Sequence, residues 1–268
     1  GAAAAGEAGA AAPLLRGTAA DSRPGSVSRA RDAAANGSAV VNSTDAAAPA
    51  AKRSAPVVLD SALEAEAMVA TGLASCICIF DIDRTLTGRQ GMQGLHVLHN
   101  IWDSAYGGGK LTLSALGSAG VSSTFCGGCF LGIVSHGDGS NGAMRAYIQS
   151  NIVTNSHLAW LSSQHSSARS WSYGHDIHSP FVLGYPDGQK QHAVAKILDW
   201  YAGRGLNIAK SSVHFFGDSS ENIPPFHGTG FNARQVSCGS RDYSIGGGRV
   251  GLAGAEPREI VASPGVYT

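Results

Sequence analysis

Two carboxylates one residue apart close an apolar run: Cys76-Ile77-Cys78-Ile79-Phe80 leads directly into Asp81-Ile82-Asp83-Arg84-Thr85. Burying charge is costly unless the charge is paired or bound to a metal. This pair therefore asks for a cation or a reaction. Two further apolar runs also end in polar residues. Residues 130–134 run into Ser135-His136-Gly137-Asp138, and residues 213–216 run into Gly217-Asp218-Ser219-Ser220-Glu221-Asn222. Lys190 falls between those two runs, at the start of a helical pattern.

These residues need a scaffold. Residues 76–80, 130–134 and 181–183 are short continuous apolar runs, as buried parallel strands have. Val213-His214-Phe215-Phe216 reads as a further strand, and residues 233–236 as the last. From Lys190, the residues Ala193, Val194, Ile197, Leu198 and Tyr201 recur at helical spacing, and Gly203 and Gly205 stop the pattern. Ser61-Ala62-Leu63-Glu64 reads as a capping box that opens a helix to about residue 69. Strands alternating with helices predict an α/β fold, a Rossmann-like three-layer sandwich with a mostly parallel central sheet. Such sheets bind ligands at the carboxyl ends of their strands, where the polar residues fall. Residues 241–268 form a Gly-rich C-terminal segment, which reads as coil from Ile245 onward.

In motif order the chain resembles the haloacid dehalogenase-like superfamily over roughly residues 75–240. The resemblance rests on Asp81-Ile82-Asp83-Arg84-Thr85 as DxDx[TV], on Ser135 after an apolar strand, on Lys190, and on Gly217-Asp218-Ser219-Ser220-Glu221-Asn222 after another. It implies a phosphatase working through an aspartyl-phosphate. Phosphoryl transfer needs a nucleophile, a proton carrier and charge neutralisation. By resemblance Asp81 is the nucleophile, and Asp83 protonates the leaving oxygen and then activates water. Asp81, the backbone carbonyl of Asp83 and Asp218 would bind Mg²⁺. Thr85 and Ser135 would hold the phosphate, with Lys190 neutralising both it and Asp81. Glu221 and Asn222 would bind or orient the metal from a second layer. Residues 87–125 sit where the family inserts a cap; this small one contains His96, His99, Trp102, Tyr106 and Gly107-Gly108-Gly109. The second Asp favours phosphate transfer over dehalogenation. Two positions depart from the pattern. Glu221-Asn222 stands where the family often has a second Asp, and Arg84 stands where it often has Gly. Arg84 would reach a substrate or pair with a carboxylate.

Composition narrows the classes. The 268 residues carry a formal net charge of zero, which gives no electrostatic case for nucleic acid or an anionic membrane. No apolar run approaches the roughly 18 residues of a membrane span. Residues 1–56 are rich in Ala, Gly and Ser and contain no aromatic residue. This segment reads as a disordered or partner-draped extension, or as the remnant of a plastid or mitochondrial targeting sequence. The chain begins with Gly, which reads as a processed or truncated start. A soluble protein of the cytoplasm or an organelle is the expectation. The five cysteines are odd in number and sparse, so reduced thiols are expected rather than a disulfide scaffold.

Blander readings compete at several positions. Lys196 is the alternative to Lys190. Cys126-Gly127-Gly128-Cys129 would be a redox pair, half a zinc site or two small apolar residues, the last being favoured. His175-Asp176-Ile177-His178 reads as a polar loop rather than a metal site, and Asp138 as a helix cap. The overall expectation is a Mg²⁺-dependent phosphohydrolase of a small phosphomonoester. The alternative is an inactive subunit of the same fold, with the N-terminal extension wrapping a larger complex.

Overall fold

The short apolar runs become strands because they are buried on both faces. Strand β1 (Ile77–Phe80) has all four side chains fully buried. Its alternate residues divide between two cores: Ile77 and Ile79 join one apolar cluster, Cys78 and Phe80 the other. The computed structural model describes residues 75–268. The expected helix at 61–69 and the extension at 1–56 lie outside these residues.

Strands β4 (Phe130–Val134), β5 (Trp171–Tyr173), β6 (Phe181–Leu183), β7 (Val213–Gly217), β8 (Asn232–Gln235) and β9 (Val266–Tyr267) join β1 in one sheet, ordered β5-β6-β4-β1-β7-β8-β9. Every pairing in it is parallel. A separate antiparallel hairpin joins β2 (His96–Asp103) to β3 (Gly109–Leu113). The helices are α1 (Ala115–Ala119), α2 (Gly142–Tyr147), α3 (Ser156–Gln164) and α4 (Lys190–Ala202). Helix α4 places Ala193, Val194, Ile197 and Tyr201 in the first cluster, while α2 places Met144 in the second. Apolar layers thus cover both faces of the sheet, as a parallel sheet requires.

The chain builds outward from β1 to β4 and β6, then crosses back through α4 to β7 on the other side of β1. This reversal opens a crevice at the carboxyl ends of β1, β4 and β7. No helix among the described residues is long and apolar enough to cross a membrane.

Two expectations change. The thiols are not reduced: Cys76 joins Cys129 and Cys78 joins Cys126, leaving Cys238 free and exposed. The register explains the first pairing, since Ile77 lies opposite Phe130 and each strand is preceded by a cysteine. The CxxC is therefore neither an internal redox pair nor a pair of free apolar residues. Second, the chain from Ile245 onward is more than coil. It belongs to the same compact unit as the sheet and adds its edge strand β9. The expected cap range, 87–125, contains the β2–β3 hairpin and α1; Ile101, Leu111, Leu113, Leu116 and Val121 within it are buried in the same cluster as Cys78 and Phe80.

Candidate functional site

The segment after β1 is not a continuing strand. Asp81 caps a wide turn, Ile82–Leu86, by accepting from the amide of Ile82 at 2.8 Å. Thr87 closes the turn, its amide donating to the carbonyl of Ile82. Arg84 within it has φ 59°, a left-handed conformation that costs a non-glycine residue roughly 1 kcal/mol. The side chain offsets that cost. Its guanidinium is buried, lies 3.3 Å from Asp242, donates to the carbonyl of Leu252 and sits 5.0 Å from the Tyr106 ring centroid. The carboxylate pair, one of its two expected roles, is formed with Asp242.

Lys190 reaches the site from the first turn of α4. Its side chain is fully buried and donates to Asp81. A helix N-terminus disfavours a cation, so carboxylates must hold it there. Asp187 is the second, 3.2 Å from the lysine nitrogen. Asn222 fixes Asp187 in turn: its Nδ2 donates to Asp187 at 2.9 Å and its Oδ1 accepts from the Gly188 amide at 2.7 Å. His136 Nδ1 lies 3.0 Å from the other oxygen of Asp187. Lys196 instead donates to the carbonyl of His175 at the surface.

Asp218, at the end of β7, is buried and accepts from the Gly251 amide at 2.6 Å. Its own amide donates to Thr85 Oγ1 at 3.0 Å, which ties the β1 turn to the β7 end. Ser135 ends β4 with a buried hydroxyl that has no partner. A methyl group placed on Gly137 would lie 2.7 Å from Asp83 Oδ2 and 3.8 Å from Ser135 Oγ. Gly137 therefore leaves open the space that both groups face. Asp83, Ala105, Tyr106, His136, Gly137 and Asp187 line a cavity of about 210 Å³.

Asp81, Asp83, Asp187 and Asp218 face a single lysine, and the electrostatics follow from that imbalance. Burial raises the Asp81 carboxyl against the opposing pull of Lys190. Burial, Asp103 and Asp81 hold Asp83 well above the carboxylate range. Burial and Asp81 push Asp218 up to about 7. Burial disfavours the Lys190 cation, yet Asp81 and Asp187 outweigh it and raise its pKa. Excess buried negative charge is what a divalent cation would neutralise. The donors are hard oxygens, which suit Mg²⁺. Among the described residues no group of three His, Cys, Asp or Glu side chains converges as a metal cage. The expected ligand set has only two carboxylate side chains and one carbonyl, so it would not form one.

The structure thus brings together Asp81, Asp83, Ser135, Lys190 and Asp218. Thr85 lies beneath them with its oxygen on a backbone amide. Asn222 supports Asp187 and Gly188. Glu221 turns outward to Arg249 at 3.0 Å, a half-exposed pair worth about 0–1 kcal/mol. Asp138 caps no helix. It accepts from the Ser140 amide, and Asn141 caps α2. His175 and His178 use their carbonyls to hold Lys196 and Trp200.

Asp187 and His136 were not singled out from sequence. Asp187 stands three residues before Lys190 and His136 directly follows Ser135, and that adjacency was the available signal.

The β2–β3 hairpin is held by the burial of Ile101, Leu111 and Leu113 and by polar contacts. Buried Asp103 accepts from Gln90 Nε2 at 2.7 Å and from Ser140 Oγ at 3.2 Å, and Asn141 Nδ2 donates to the carbonyl of Trp102. Tyr106 at the tip borders the cavity; His96 and His99 are exposed and do not line it. No protein-family description, curated protein or solved structure matches this chain.

Proposed function

We propose that this chain is a Mg²⁺-dependent phosphohydrolase of the haloacid dehalogenase-like type, with a Rossmann-like core, acting on a small phosphomonoester. The observation that carries the reading is the buried contact between Asp81 and Lys190, set among excess carboxylates at the crevice of the sheet.

An Asp81 oxygen attacks phosphorus, and the bond from phosphorus to the leaving oxygen breaks. Asp83 gives its proton to that oxygen. Its raised pKa supports this role, because a general acid must hold a proton at the working pH. Water then attacks the aspartyl-phosphate, Asp83 takes the water's proton, and the bond from Asp81 to phosphorus breaks. Ser135 has an unused buried hydroxyl to donate to a phosphoryl oxygen. Lys190 fixes Asp81 and offsets charge on the transferring group. Asp81, the Asp83 carbonyl and Asp218 would hold Mg²⁺, which supplies charge neutralisation when bound. Tyr106 and the hairpin limit water and admit only small groups beside Asp83.

Phosphate release from a panel of phosphomonoesters, with Mg²⁺ or with EDTA, tests the reading. Release that requires Mg²⁺ supports it. No release, with no Mg²⁺ bound in calorimetry, refutes it and leaves the binding or assembly subunit.

A further inference from the structure

A second cavity, of about 420 Å³, opens on the other side of Tyr106 and is lined by Arg84, Arg89, Gln90, Asp242 and Ser244 among others. Tyr106 borders both this cavity and the one beside Asp83. Its charge is not balanced. Two arginines line it with one carboxylate: Asp242 Oδ1 accepts from the hydroxyl and amide of Ser244, and Oδ2, which has no hydrogen-bond partner, lies 3.3 Å from the Arg84 guanidinium. Arg84 is 2% exposed and its Nε has no partner. Among the described residues the Arg89 side chain forms no ion pair and no hydrogen bond; its backbone amide donates to the carbonyl of Leu252 and its carbonyl accepts from the amide of Met92. A buried donor left without an acceptor is uncommon and calls for an explanation. Anchoring the C-terminal segment accounts for the Asp242 and Leu252 contacts of Arg84, but not for its free Nε or for Arg89.

We infer that the Arg84–Arg89 cavity is an anion subsite that receives a second anionic group of the substrate, a phosphate or a carboxylate, while the first phosphate sits beside Asp83. This names a substrate class, the small phosphomonoester that carries a second anionic group, and it rests on the phosphohydrolase reading. Arginine forks suit either anion bidentately. Tyr106 divides the two anions, its ring face against Arg84.

The test is calorimetric binding, to the full chain in excess Mg²⁺, of alkane bisphosphonates from ethane to hexane, of the matching carboxyalkylphosphonates, and of butylphosphonate. Wild type, Asp81→Asn and Arg89→Ala are compared. Arg89 is exposed, so its removal leaves the core intact. The expected result is a ligand with two anionic groups bound about tenfold or more tightly than butylphosphonate, which has one, in wild type. That ratio falls toward one in Arg89→Ala, and the preferred series identifies the second anion. No preference for two anionic groups in wild type overturns the inference, as does a preference that survives Arg89→Ala. Aryl phosphate hydrolysis without such a preference overturns the subsite alone. A preference lost in Arg89→Ala, in a chain that hydrolyses nothing, supports the subsite and overturns the phosphatase reading.

Discussion

Asp81 and Lys190 are each tolerable in the interior because of the other. Removing one partner of a buried pair leaves an uncompensated charge and costs about 3 kcal/mol or more. Lys190→Met should therefore lower the denaturation midpoint strongly. Adding Asp81→Asn should recover part of the loss, which a double-mutant cycle in urea would measure. Additive effects would mean that the two side chains do not depend on each other. Asp218 gives a pH prediction. Its folded pKa of about 7 lies above the ordinary value of 3.8. The stability it contributes is therefore fully present below about pH 4 and is lost as pH rises through about 7. In EDTA the unfolding midpoint should be lower at about pH 8 than at about pH 5, and saturating Mg²⁺ should reduce the gap by replacing the proton as counter-charge. A midpoint that rises with pH in EDTA would contradict this. The paired carboxylates were legible in the sequence because an acid directly after an apolar run has so few physical explanations. Asp187 was less so, since Pro186-Asp187-Gly188 also reads as an ordinary turn, and only the fold shows it against Lys190.

At the scale of elements, the strands and α4 were legible because burial on both faces leaves continuous apolar runs, and burial on one face leaves the helical period. Strands β1, β4, β6, β7 and α4 fall within a residue or so of their expected bounds. The β2–β3 hairpin and the C-terminal segment were not. Their positions also depend on polar contacts between residues far apart in sequence, such as Asp103 with Ser140 and Gly251 with Asp218. Gly251 shows what the C-terminal segment does. A methyl group there would lie 2.5 Å from Ser237 Oγ and 3.0 Å from the carbonyl of Arg84. Gly251→Ala should destabilise the chain by about 1–3 kcal/mol and weaken Mg²⁺ binding, because the amide that orients Asp218 must shift. Calorimetry of the folded variant checks this; unchanged Mg²⁺ affinity would separate the segment from the site.

For the molecule as a whole, the two disulfides staple β1 to the turn before β4, at the opposite end of these strands from the site. They close nested loops with sequence separations of 53 and 48. In the chain-entropy account one such loop is worth about 4 kcal/mol. The second adds less, because the first already holds its ends close. The odd cysteine count hid this framework, although two neighbouring parallel strands each preceded by cysteine was a usable signal. Alkylation of the unfolded protein without reductant should label Cys238 alone among the described cysteines. Labelling of all five would show that the thiols are reduced.

The central claim is that Asp81 carries a phosphoryl group with Mg²⁺ assistance. Its most direct test is the hydrolysis of a generic aryl phosphate by wild type and by Asp81→Asn, each with Mg²⁺ and with EDTA. Asp81→Asn removes the charge at nearly constant shape. The prediction is turnover in wild type that requires Mg²⁺ and falls by about three orders of magnitude or more in Asp81→Asn. Turnover that Asp81→Asn leaves intact, or that EDTA does not affect, would contradict it.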